Sequence, residues 1–172
     1  DVCDMDKWAR AKYCPNLPVG LDGQYVTSSK EHKELSKYAA KCGMVLLENV
    51  NNTLPLKEGT RVALVGKGTF DYVKGGGGSG DGTVSYITNL YEGIKSLGNT
   101  TSVYEDLAAY YRDYVAEQYK AGKAPGMIAE PEVPEELLKK ARAFTDTAVI
   151  SISRFSGEGW DRSVGGQKDT LF

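Results

Sequence analysis

Two kinds of apolar pattern alternate along the chain. Short runs of apolar residues, rich in β-branched side chains, predict three strands: a buried one at 61–66, a weak one at 100–104 and the clearest at 147–153. Stretches in which apolar residues recur three and four positions apart predict helices at 28–42, 85–97, 105–121 and from 134 onward. The predicted order is therefore helix, strand, helix, strand, helix, helix, strand.

Two of these helices carry signals for where they begin. Ser28 and Glu31 have the spacing of a capping box, which predicts the start of the first helix. Pro134 is predicted at the first position of the last helix, followed by Glu135 and Glu136 at the positive end of its dipole.

The alternation of helices with continuous apolar strands predicts an α/β fold. We expect a three-layer sandwich with a mainly parallel sheet that is covered on both faces. Residues 1–27 show no clear period and contain turn residues, so they are expected to form a strap or linker. The sandwich domain is then expected over residues 28–172.

Glycine-rich segments follow the first and the third predicted strand. In an open parallel sheet, ligands bind at the carboxyl ends of the strands, where the strand order reverses. If the strands lie in the order 2-1-3, the two glycine-rich segments are neighbours across that crevice. The sequence therefore predicts that both segments contribute to one small-molecule site.

Composition limits the chemistry of such a site. The chain has 172 residues, of which 41% are hydrophobic and 26% charged, and its net charge of −2 argues against a nucleic-acid or anionic membrane surface. No apolar run approaches the roughly 18–20 residues that span a bilayer. There is one histidine, and the three cysteines lack metal-ligand spacing, so neither a metal site nor a cofactor is expected. Whether Cys3, Cys14 and Cys42 form a disulfide stays open.

The first glycine-rich segment is KGGGGSGD, from Lys74 to Asp81. It lacks the Gly-Lys-Ser/Thr of a phosphate-binding loop, and the preceding Gly66 and Gly68 lack the third glycine of a dinucleotide fingerprint. A flexible spacer would have a similar composition, but the segment lies inside a strand–helix unit. We therefore expect a loop that contacts a ligand.

The second segment is SGEGWD, in which Glu158 stands between two glycines at the end of a strand. Glycines on both sides would allow the carboxylate to project into a cleft, and Trp160 offers a flat face for a sugar ring or an aromatic ligand. A carboxyl group beside an indole tends to stay protonated, as a general acid requires. The alternative is a surface turn with a solvated glutamate.

Taken together, MVLLENVNNTLPL, RVALVGKG, YVKGGGGSGD and AVISISRFSGEGWDR resemble, in this order, the α/β-sandwich domain of glycoside hydrolase family 3, the β-glucosidase family. The resemblance covers roughly residues 30–165. It implies a retaining enzyme in which a barrel domain supplies an aspartate nucleophile and the sandwich supplies a glutamate acid/base.

The resemblance also assigns roles to particular residues. It makes Glu158 the acid/base and places Ser79, with Gly78 and Gly80, at the border of the sugar subsite, while Trp160 is expected beside the sugar. It implies a β-linked glucoside or oligosaccharide as substrate, with a xyloside next, and no cofactor. Because the barrel and several strands are absent, we expect a fragment of a larger enzyme that is inactive alone. A non-catalytic carbohydrate-binding or scaffolding module is the alternative.

Overall fold

The computed structural model describes residues 19–24, 29–74, 84 and 86–154. The chain divides into two compact units, the first formed by 1–53 and 82–87 and the second by 54–81 and 88–172. The expected division between a strap and a domain, at residues 27 and 28, falls outside the described residues and stays a prediction.

The first unit contains helix α1, Lys30–Cys42. The helix begins at Lys30, two residues after the predicted start at 28, and the Oγ of Ser29 caps it by accepting a hydrogen bond from the backbone N–H of His32, at 3.3 Å. Ser28, the predicted cap, lies outside the described residues. Gly43 ends the helix, and its N–H donates to the carbonyl of Ala39.

The second unit contains a parallel sheet of three strands, β1 (Thr60–Val65), β2 (Thr101–Val103) and β3 (Ala148–Ile150). The strand order is β2-β1-β3, and both neighbours pair with β1 in parallel. The expected convergence of the two glycine-rich segments requires the strand order 2-1-3. That strand order is confirmed.

The central strand buries both of its faces. Val62 and Leu64 are fully buried in one apolar cluster, and Ala63 lies in a second cluster on the other side. Burial of both faces explains why successive residues from Val62 to Leu64 are all apolar, whereas Arg61 at the start of the strand is exposed.

Three helices surround this strand: α2 (Leu90–Lys95), α3 (Glu105–Lys120) and α4 (Glu135–Phe144). Side chains of α2 pack against the first cluster, while α3 and α4 supply most of the second. The predicted α/β sandwich is therefore confirmed.

Two further helices also differ from their predicted ranges. The helix predicted over 85–97 is limited to Leu90–Lys95, because the Asn89 side chain accepts from the N–H of Glu92, and Glu92 in turn accepts from the N–H of Asn89. Pro134 lies at the cap position before α4 and not inside its first turn.

Candidate functional site

The carboxyl ends of β1 and β3 lie side by side. Val65 and Ile150 are register partners, and just beyond them the N–H of Ser151 donates to the carbonyl of Val65 at 2.8 Å. The two segments that leave these strands therefore begin next to each other, although they are far apart in the sequence.

Two glycines allow the backbones of these segments to touch. Gly66 has a φ of 103°, and a Cβ atom at this position would overlap the carbonyl oxygen of Ser151. A Cβ atom at Gly68 would lie 2.8 Å from Ser151 Oγ and 3.2 Å from Ser153 N. Any side chain at either position would push the two segments apart.

A buried ion pair lies in the turn that follows β1. The 3₁₀ turn Lys67–Thr69 begins directly after Gly66. Lys67 Nζ lies 3.0 Å from Asp71 Oδ2, and the side chains of Lys67 and Asp71 are only 4% and 0% exposed. Removing both charges from water costs free energy, so the pair depends on further hydrogen bonds.

Asp71 and Lys67 obtain these hydrogen bonds from distant parts of the chain. Asp71 Oδ1 accepts from Tyr119 OH at 2.8 Å and from the N–H of Gly126 at 2.9 Å. The backbone N–H of Lys67 donates to both carboxylate oxygens of Glu130, each at 3.1 Å. The turn after β1 is thereby bonded to the end of α3 and to the connector between α3 and α4. We call the set Lys67, Asp71, Tyr119 and Glu130 the buried network.

Other tyrosines of α3 hold the same connector. Tyr110 OH donates to the carbonyl of Glu132 at 2.7 Å, and Tyr114 OH donates to that of Ala129 at 3.0 Å. Tyr111, by contrast, is 2% exposed and belongs to the apolar core.

Burial changes the acidity of two of these phenols. It raises the pKa of Tyr111 to about 12, with a smaller contribution from the nearby carboxylate of Glu130 and an opposing one from the backbone of Gly66. The pKa of Tyr119 is also raised, first by burial and then by its hydrogen bond to Asp71. Both phenols therefore keep their protons above the ordinary pKa of 10, and Tyr119 OH remains a hydrogen-bond donor to Asp71.

The residues that the sequence predicts for the site lie outside the described part of the chain: Gly78, Ser79, Gly80, Asp81, Glu158 and Trp160. What the structure describes are the two strand ends from which their segments start, up to Lys74 on one side and Arg154 on the other. The roles of these residues stay predictions.

Sequence reasoning missed the buried network. The only signal was the spacing of four residues between Lys67 and Asp71, and such pairs usually lie on exposed helix surfaces. Nothing local in the sequence showed that both side chains would be buried or that Tyr119 would reach Asp71.

The described residues offer little support for other site chemistries. Among them, no group of three or more histidine, cysteine, aspartate or glutamate residues could hold a metal ion. Residues 66–74, which follow β1, contain no α-helix whose N-terminus could bind a phosphate. Over all the residues that the structure describes, no helix has the length and apolarity to cross a membrane.

Comparison with protein families identifies the chain. Residues 44–171 match the model of the glycosyl hydrolase family 3 C-terminal domain. The chain belongs to this family. The resemblance drawn from the sequence motifs is therefore confirmed for most of the length over which it was seen.

Among curated relatives of family 3, Beta-glucosidase A of Butyrivibrio fibrisolvens is 61% identical over 162 residues, which is 94% of this chain and 20% of that protein. A beta-glucosidase of Ruminococcus albus is 37% identical over 127 residues, 70% of this chain and 13% of that protein. This chain thus spans a fifth or less of the length of these relatives.

Solved structures of beta-glucosidases also match the fold of this chain. Beta-glucosidase 3B of Thermotoga neapolitana in complex with α-D-glucose matches with a TM-score of 0.65 and 37% identity, over 79% of this chain and 19% of that chain. A beta-glucosidase of Paenibacillus barengoltzii matches with a TM-score of 0.66 and 30% identity, over 77% of this chain and 15% of that chain. In both cases the match covers less than a fifth of the solved chain.

Proposed function

We propose that this chain is the acid/base-supplying domain of a retaining, exo-acting β-glycosidase, with β-glucosidase as the preferred activity. In this proposal Glu158 is the acid/base, Ser79 with Gly78 and Gly80 borders the sugar, and Trp160 covers one sugar face. Membership of family 3 and the relatives named beta-glucosidases support it.

The observation that carries the proposal is the backbone contact between the segments after β1 and β3. Gly66 and Gly68 lie against Ser151 and Ser153 at the edge of the sheet. From Ser153, the five residues to Glu158 can extend at most about 18 Å. Glu158 is therefore tethered to the same edge from which the segment containing Ser79 departs.

The chemistry that this arrangement would serve needs two carboxyl groups. In retaining hydrolysis they stand about 5–5.5 Å apart, and one of them is protonated before the first step. Glu158 would give its proton to the departing glycosidic oxygen as the covalent glycosyl-enzyme forms. It would then take a proton from the water that cleaves this intermediate.

The second carboxylate is assigned to another part of the protein. Because the chain spans a fifth or less of its relatives, we propose that a barrel domain in the remaining sequence contributes the aspartate nucleophile. The substrate would be a β-linked glucoside or oligosaccharide, with a xyloside next, and the reaction would need no cofactor.

The test is Glu158→Gln in the full-length protein that carries this chain, assayed with aryl β-glucosides. We expect kcat to fall about 10²–10⁴-fold for a poor leaving group, because proton donation is lost. The loss should be smaller for an activated leaving group, and azide should partly restore turnover with release of the glycosyl azide. Glu117→Gln, an exposed glutamate of α3, is the matched control and should keep full activity.

Two results would contradict the proposal. If Glu158→Gln weakens sugar binding but leaves kcat unchanged, the chain is a carbohydrate-binding or scaffolding module. If azide gives no rescue while the variant is folded, Glu158 is not the acid/base.

A further inference from the structure

The side of β3 that faces away from β1 presents backbone hydrogen-bonding groups. The N–H of Ala63 donates to the carbonyl of Thr147 at 2.9 Å, and the N–H of Ser151 donates to the carbonyl of Val65 at 2.8 Å, so odd-numbered residues bond to β1. Because successive residues of a strand point their N–H and C=O groups to opposite sides, those of the even-numbered residues point away from β1. Among the described strands, none pairs with β3 on that side. We call this side of residues 147–153 the outer edge of β3.

The side chains along the outer edge do not protect it from another strand. The run TAVISIS, residues 147–153, contains no charged residue, no proline and no glycine. Ile150 and Ile152 are large apolar residues, yet they are 68% and 67% exposed. Sheets usually block an open edge with charges, proline or a bulge, and an uncharged apolar edge is a template on which a further strand can add.

The outer edge is complementary to a second copy of itself. In an antiparallel pair with its twofold axis at Ile150, each Ile150 faces its counterpart and Ala148 faces the partner's Ile152. All these residues point their N–H and C=O groups outward, so they form hydrogen-bonded pairs across the axis. In the same register Asp146 faces the partner's Arg154, so the charges that flank the uncharged run meet opposite charges.

The charges also distinguish this register from its neighbours. Moving the axis by one residue, to Val149 or Ser151, sets one charged end of the run against an apolar side chain of the other copy. Arg154 has an interaction within its own chain, and its guanidinium carries five N–H donors, which allow it to bond to more than one group. Charge complementarity therefore favours the axis at Ile150.

We propose that the outer edge of β3 is a docking surface for a second copy of this 172-residue chain, which pairs with it antiparallel about Ile150. The pairing joins the two three-stranded sheets into one continuous sheet. The interface is small, so the dimer is weak, with a dissociation constant on the order of 10–100 μM. Sugar hydrolysis plays no part in this docking, and its test is therefore separate from that of the proposed function.

Sedimentation equilibrium of the 172-residue chain, over concentrations that span the expected dissociation constant, measures the association. We expect the average mass to rise with concentration from 18.7 kDa toward twice that value. Ile150→Lys places two like charges face to face at the axis and should raise the dissociation constant at least about tenfold. Leu97→Lys is the matched control, because Leu97 is 62% exposed outside the sheet, and it should leave the constant unchanged.

An exchange of charges tests the register. Asp146→Arg sets two positive charges opposite each other at both ends of the pair and should raise the dissociation constant about fivefold. Adding Arg154→Asp to the same chain restores opposite charges and should bring the constant back to within about twofold of the original. A substitution that only damaged the fold would not be repaired in this way.

Four results would overturn the proposal. The first is a chain that stays monomeric at every concentration, and the second is growth beyond a dimer, which a twofold pair does not allow. The third is an unchanged dissociation constant in Ile150→Lys, which would place the interface on another surface. The fourth is an equal constant in Asp146→Arg and in the charge-exchanged chain. If circular dichroism shows that Ile150→Lys is unfolded, this last comparison decides.

Discussion

Gly66 meets two requirements that only glycine satisfies together. Its φ of 103° lies in a region that side chains disfavour, and its α-carbon lies against the carbonyl of Ser151. Gly59 shares the first requirement, with a φ of 78°, but has no atom within 4 Å of the position of a Cβ. Comparing substitutions at Gly59 and Gly66 therefore separates the free-energy cost of backbone strain from that of steric overlap.

Gly66→Ala should therefore destabilise the protein much more than Gly59→Ala. We expect a loss in the free energy of unfolding of about 1 kcal/mol for Gly59→Ala, from backbone strain, and of about 3 kcal/mol or more for Gly66→Ala. Urea denaturation followed by far-ultraviolet circular dichroism would measure both. Equal losses would mean that β1 and β3 do not approach each other as closely as the structure shows.

The sequence drew attention to some of the important single residues and gave no sign of others. Gly66 and Gly68 were noticed only as an incomplete dinucleotide fingerprint, and their close approach to Ser151 was not predicted. Lys67 and Asp71 were not, because charged side chains are mostly exposed and no local pattern shows that a partner such as Tyr119 will cover them. The assignments of Glu158 and Ser79 came from a family resemblance and stay predictions.

The apolar pattern predicted all three strands, although their burial differs. Both faces of β1 are buried, whereas Ala148 and Ile150 of β3 are exposed. The helix predicted over 85–97 was too long, because the capping box of Asn89 and Glu92 fixes a start that apolar spacing does not reveal. Strand order could be stated only as a condition, since nothing local in the sequence decides which strand is central.

Tyr111 of helix α3 makes the free energy of unfolding depend on pH in the alkaline range. The unfolded chain loses this proton near the ordinary pKa of 10, whereas the folded protein keeps it up to about 12. Between these values the unfolded state binds fewer protons, so the free energy of unfolding falls as the pH rises.

Between pH 10 and about 12, we therefore expect the free energy of unfolding to fall by about 2 kcal/mol less in Tyr111→Phe than in the original protein. Urea denaturation below pH 10 and at about pH 12 would measure this difference. Tyr38→Phe, at an exposed position of α1, is the control and should follow the original protein. Parallel pH curves for Tyr111→Phe and the original would contradict the assigned shift.

Across the whole molecule, the described residues include a central strand that is paired on both sides and several large apolar side chains that are exposed. Large apolar side chains outside the sheet, such as those of Met44 and Leu47, are 76% and 93% exposed. The chain also spans a fifth or less of its family 3 relatives. Under the proposed mechanism, it carries one of the two carboxyl groups that hydrolysis requires.

The 172-residue chain alone should accordingly fail to hydrolyse aryl β-glucosides. We expect no release of the aryl group above the uncatalysed rate, whereas the full-length protein at the same molar concentration should be active. Turnover by the isolated chain that disappears in Glu158→Gln would show that no second domain is needed. That result would refute the assignment of the nucleophile to a barrel.

The pairing of Ser151 with Val65 also decides when the sheet can form during synthesis. Because the two strands are parallel, residues 66–150 must leave the ribosome and close into one large loop before β3 can dock on β1. Until then one edge of β1 stays unpaired in the nascent chain. Translation must therefore have passed Ser151 before this domain can fold, and in the interval β1 is a natural target for chaperones that bind exposed apolar segments.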